Sequence, residues 1–88
     1  MAGFALRQFQ KLELDVRREA AEIIEELRED PFPFDSGPMG GYSDLYRVKF
    51  YGGKYRMVYL VYEQSRKVVI MRIGPRGSVY ARLRRPSR

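Results

Sequence analysis

Cysteine and histidine are both absent from this chain. Without cysteine there are no disulfides and no thiolate metal sites, which suits a reducing cytoplasm. Without histidine, the side chain that most often moves protons near neutral pH is gone. Any chemistry must fall to Lys, Arg, Tyr or carboxylates. Long apolar runs are missing too. No stretch approaches the ~18 residues of a membrane span, and nothing after Met1-Ala2-Gly3-Phe4 reads as a secretory leader. The expectation is a cytoplasmic protein with no membrane partner. Acidic residues are scarce in the second part of the chain. Residues 32–88 hold three Asp/Glu against twelve Lys/Arg, whereas residues 1–31 hold eight against five, within an overall charge of +6. Solubility does not require charge of one sign to be concentrated in this way, so the field points to a polyanion or an acidic protein.

What is present fits one domain over residues 1–88, a size that builds one core from a sheet and one or two helices. Phe9, Leu12, Val16, Ala20, Ile23 and Leu27 step by three and four, which is one apolar stripe on a helix. Asp15 is placed to cap a second helix beginning at Val16. No Gly or Pro separates Leu12 from Val16, so one bent helix and a helix pair both fit the pattern. Pro31 ends the helical stretch at Asp30. Phe32 to Tyr42, rich in Pro and Gly, reads as a loop pinned to the core by Phe32 and Phe34.

The period then changes to two. Leu45–Tyr51, Tyr55–Glu63 and Lys67–Ile73 read as strands, joined by Gly52-Gly53 and by Gln64-Ser65-Arg66. Tyr46, Val48 and Phe50 share one face; Arg47, Lys49 and Tyr51 share the other. Tyr46, Tyr55, Tyr59 and Tyr62 are expected to pack the sheet. Val79 to Arg85 reads as a short basic tail with room for one helical turn. The whole is an α+β pattern: an N-terminal helix or helix pair packed on a small, mainly antiparallel twisted sheet.

The chemistry-bearing residues lie between Tyr46 and Tyr80. Arg47 and Lys49 point the same way, about 7 Å apart, a spacing that suits one phosphate or two successive ones. The Gly52-Gly53 hairpin should return Arg56 to Lys49. Arg76 follows Gly74-Pro75, and Tyr80 lies four residues on, at the same rim. Such a cluster can support cleavage of RNA through its own 2′-hydroxyl. Lysine, near its ordinary ~10.4, is a poor base unless neighbouring cations, for which Arg47 and Arg56 are the candidates, favour its neutral form. Arginine clamps phosphate oxygens bidentately, and Tyr80 can stack a base and turn the backbone into line for attack. Plain phosphate binding would need the same residues. Arg82 and Arg84 form a basic tail able to touch phosphate. Asp44 and Glu63 have no clustered carboxylate neighbours, so neither metal nor cofactor is expected.

These residues resemble a known family. Leu45-Tyr46-Arg47-Val48-Lys49, Tyr55-Arg56-Met57-Val58-Tyr59, Ile73-Gly74-Pro75-Arg76 and Val79-Tyr80 are similar to the RelE toxins of the RelE/ParE superfamily. Phe9-Gln10-Lys11-Leu12, Val16-Arg17 and Leu27-Arg28-Glu29-Asp30-Pro31 fit as well. The resemblance implies a ribonuclease toxin that enters the ribosomal A site and cuts the message being translated. It implies a cognate antitoxin as partner, with operator DNA bound through the toxin–antitoxin complex. Arg47 and Lys49 then match the family's paired basic positions, Arg56 the phosphate clamp, Arg76 the general acid and Tyr80 the stacking ring. Two features depart from the pattern. Arg47 stands where the family has lysine, which moves the role of base to Lys49. The strand that usually precedes the first helix is missing or very short, which would leave a sheet edge open to a partner. A ParE-like gyrase poison and an inactive binding protein are the alternatives.

Overall fold

The computed structural model describes residues 1–41 and 44–80. Two helices, α1 (Gly3–Gln10) and α2 (Leu14–Glu29), precede four strands: β1 (Ser36–Pro38), β2 (Leu45–Phe50), β3 (Tyr55–Tyr62) and β4 (Lys67–Pro75). A 3₁₀ turn, Ser78–Tyr80, comes after β4. The strands form one antiparallel sheet in the order β1-β2-β3-β4.

The helical stretch is a pair rather than one bent helix. The Leu12 amide donates to the Phe9 carbonyl, tightening the last turn of α1, and the Arg17 guanidinium donates to the Gln10 carbonyl across the break. Glu13 is extended (ψ 157°) and occupies the N-cap position of α2. Asp15 therefore lies inside the first turn rather than capping a helix at Val16. Its carboxylate accepts from the Val16 amide (2.9 Å) and from the Tyr51 hydroxyl.

Val16, Ala20 and Leu27 of the expected stripe are buried, and Phe9, Leu12 and Ile23 pack beside them. They meet Val48, Phe50, Met57, Tyr59, Val61, Ile70 and Ile73, the helix-facing side of the sheet. Each fully buried aliphatic side chain here contributes about 1.5–3 kcal/mol relative to exposure. Tyr59 lies at the centre, and its hydroxyl donates to the Pro31 carbonyl (2.7 Å), tying the turn after α2 to the sheet.

Four expectations need correction. The Pro- and Gly-rich stretch contains an edge strand, β1, paired with Tyr46–Val48 of β2. Phe32 does meet Tyr46 edge to face, with centroids 4.9 Å apart, but Phe34 is fully exposed and pins nothing. Tyr51 leaves the strand in a left-handed conformation (φ 55°) and packs toward the helices. Tyr62, at the end of β3, is exposed rather than packed. The outer edge of β4 is not left bare: Ile70 accepts from the Ala2 amide (2.9 Å), and the Ile73 amide donates to Gln8 Oε1 (2.8 Å). The start of the chain supplies these two bonds where a further strand would supply a ladder.

Candidate functional site

The sheet face turned away from the helices carries the cations, and it is not uniformly polar. Leu45, Val58 and Val79 form a second buried cluster there, flanked by Met39, Leu60, Met71 and Tyr80. Val79 reaches it because the chain turns back after Pro75. The Val79 side chain sits over Gly74, where an added Cβ would lie 3.7 Å away. The apolar cluster holds the 3₁₀ turn against the sheet and so fixes the rim position of Tyr80.

The β2–β3 register sets Lys49 directly opposite Arg56, as the double-glycine hairpin implies. Their Cβ atoms are thus about 5 Å apart, and like charges so placed repel. Arg56 also pairs with Gly74 of β4 and is only 9% exposed. Its Nε is buried and lacks a hydrogen-bond partner among the described residues. A buried cation with a free donor and a second cation opposite is costly in the isolated chain. An anion between Lys49 and Arg56 would relieve both costs at once.

Arg76 follows β4 and is exposed; its amide donates to the Lys54 carbonyl (2.9 Å), which fixes its backbone beside the β2–β3 hairpin. Lys54, two residues before Arg56, brings a further exposed cation to the same end of the sheet. Sequence reasoning passed over Lys54, although Gly52-Gly53 places it at the hairpin's exit. Arg72, also passed over, stands in register with Val58 and holds its guanidinium 4.8 Å from the centroid of the Phe4 ring.

Arg47 and Tyr80 meet at the other side of the face. With Pro38, Met39 and Gly40 they line an open groove of about 470 Å³. Arg47 Nη1 donates to the Pro38 carbonyl (3.3 Å) and lies 3.1 Å from where a Cβ on Gly37 would be. The bare backbone at Gly37 lets the guanidinium lie across the edge strand. Arg47 is thus a groove wall held by the backbone, while Lys49 stands nearer Arg56. Arg82 and Arg84 lie outside the described residues. No group of three or more His, Cys, Asp or Glu side chains suited to a metal ion occurs among the described residues, and none of their helices is long and apolar enough to cross a membrane.

Lys49, Arg56 and Arg76 therefore share one end of the sheet face, and Arg47 and Tyr80 line a groove at its other side. Residues 5–80 match the family model described as the ParE toxin of type II toxin–antitoxin systems, parDE. The chain belongs to this toxin family. Its relatives place it on the RelE side of the superfamily. It is 36% identical over 62 residues to a candidate RelE1 toxin of Methanocaldococcus jannaschii, covering 67% of each chain. It is 29% identical over 72 residues to the mRNA interferase toxin RelE of Escherichia coli K12, covering 82% of this chain and 75% of that one. The toxin in the crystal structure of the intact E. coli RelBE toxin–antitoxin complex superposes with a TM-score of 0.73 at 27% identity, covering 84% of this chain and 89% of that one. The shared fold of this RelE-type toxin is the helix pair on a four-stranded antiparallel sheet.

Proposed function

We propose that this RelE-type toxin is a ribosome-dependent endoribonuclease that cuts mRNA in the A site by attack of the message's own 2′-hydroxyl. The observation that supports it best is Arg56, a buried guanidinium with an unpartnered Nε, set opposite Lys49 on an exposed face. In this reading Arg56 holds the scissile phosphate and stabilises charge on the phosphorane. Lys49 takes the 2′-hydroxyl proton. The 2′-oxygen attacks phosphorus, the P–O5′ bond breaks, and Arg76 donates the proton that the leaving 5′-oxygen needs. The products are a 2′,3′-cyclic phosphate and a free 5′-hydroxyl. Tyr80 stacks a base and Arg47 holds a neighbouring phosphate in the groove. The mechanism calls on no metal or cofactor. An antitoxin is the expected protein partner, since the E. coli relative forms a RelBE complex, and operator DNA would be reached through that complex. The expected location is the cytoplasm.

The test is primer extension on a defined mRNA in a reconstituted translation reaction, with and without ribosomes. Cuts at A-site codons that require ribosomes and disappear with Arg76→Ala are the expected result. Arg56→Met should abolish cutting while leaving stability within about 1 kcal/mol of the parent, because it removes a buried unpaired donor and keeps the bulk. A folded Arg56→Met, Arg76→Ala double variant that still cuts would remove this mechanism. The ParE description of the family model favours a second reading, binding and poisoning of DNA gyrase without nuclease chemistry. Induction of DNA damage signalling with intact message would favour it.

A further inference from the structure

The hairpin that carries Lys54 is fastened to helix α2, and through it so is Arg76. Tyr51 adopts φ 55° and is followed by Gly52 (φ 65°) and Gly53 (φ 82°). Three successive left-handed residues make a turn whose shape depends on what holds it. Besides the Phe50–Tyr55 pair and the Tyr51–Tyr55 ring contact, the hold comes from one helix. The Tyr51 amide donates to Glu19 Oε2 (2.8 Å), and its hydroxyl donates to the Asp15 carboxylate. The turn closes on itself through Gly53 N–H to the Phe50 carbonyl (3.1 Å) and Lys54 N–H to the Tyr51 carbonyl (3.2 Å). The Lys54 carbonyl then accepts the Arg76 amide. Three hydrogen bonds in series thus run from the Glu19 carboxylate to the backbone of Arg76.

We infer that Glu19 is a positioning residue for Arg76, acting through the Tyr51–Lys54 turn; this rests on the nuclease reading above. Glu19 lies on the helix side of the sheet and Arg76 on the rim of the other, so Glu19 has no need to touch the message. Its carboxylate fixes the left-handed start of the turn, and the turn fixes where the Lys54 carbonyl receives Arg76. An acceptor at position 19 is what the series requires, not its charge. Glu19→Gln keeps an acceptor and should serve; Glu19→Ala should not.

Two measurements on the full chain test this. In single-turnover cutting of ribosome-bound message, Glu19→Ala should lower the maximal rate about tenfold, as small misplacement of a proton donor does. The half-saturating toxin concentration should stay unchanged, and Glu19→Gln should recover most of the rate. Amide hydrogen exchange gives the second readout, independent of cutting. Glu19→Ala should speed exchange at Arg76 and leave Val61, at the far end of β3, unchanged. Exchange at Arg76 that ignores Glu19, or a Glu19→Gln variant that cuts no faster than Glu19→Ala, would overturn the proposal. A parent chain that cuts nothing, yet whose Arg76 amide answers to Glu19, would overturn it through the nuclease reading instead, with the mechanical link shown.

Discussion

Tyr51 is held at two atoms by one helix, and its hydroxyl bond to Asp15 titrates in a readable way. That hydrogen bond holds the Asp15 carboxyl below its usual 3.8 and is the larger cause of the shift. The same bond holds the Tyr51 hydroxyl above its usual 10.0, with the loss of water around it adding in the same direction. A lowered carboxyl contributes stability above 3.8 that is lost as pH falls through its folded value. A raised phenol contributes stability below 10.0 that is lost as pH rises through its folded value. Both contributions are present between 3.8 and 10.0. Both groups face solvent, so the effect is small and salt-sensitive. Comparing urea denaturation of the parent and Tyr51→Phe across pH should show a constant gap within that window. The gap should close at both ends. A gap that persists well below 3.8 would mean that the hydroxyl acts through packing alone.

At the scale of elements, the sequence is legible wherever neighbours in the chain decide the outcome. The Phe9-to-Leu27 stripe, the stop at Asp30-Pro31 and the Lys49–Arg56 pairing across Gly52-Gly53 all follow from local pattern. Strand β1 does not, because Ser36-Gly37-Pro38 has no strand-forming side chain; it is a strand because Tyr46–Val48 offer an edge to pair with. No Gly or Pro marks the break between the helices, where Phe9 and Leu12 pack against the core. The burial of Arg56 is equally non-local, since Gly74 beside it and Val79 above Gly74 come from beyond the third hydrophobic run. Tyr59 shows how such distant elements are joined. Its hydroxyl is the link from the central strand to the turn after α2. Tyr59→Phe should cost about 1 kcal/mol, the usual worth of one such bond. Urea unfolding should show a lower midpoint with an unchanged slope. An unchanged midpoint would mean that solvent satisfies Pro31 equally well.

The whole molecule is polar in charge: its acidic excess belongs to residues 1–31 and its basic excess to residues 32–88. Sequence alone shows that division, but the fold decides which face collects the cations. Arg47 and Lys49 alternate away from the helix core on β2, Arg56 faces Lys49, and Arg76 is tied to the hairpin end. If each of these four meets one phosphate, binding of single-stranded RNA should release about four sets of condensed counterions. The logarithm of the association constant should then fall with the logarithm of salt at about −0.7 per phosphate, or about −2.8 in all. Fluorescence anisotropy with a labelled oligoribonucleotide between roughly 50 and 300 mM salt measures this slope directly. Alanine at Lys49 or Arg76 should each lower its magnitude by about 0.7. Tyr80→Ala should weaken binding at every salt concentration and leave the slope alone, because a stacked ring displaces no counterion. A slope that is steep in the parent and unmoved by Lys49→Ala and Arg76→Ala would place the electrostatic contact elsewhere on the chain. The Lys49–Arg56–Arg76 face would then lose its claim to the phosphate backbone.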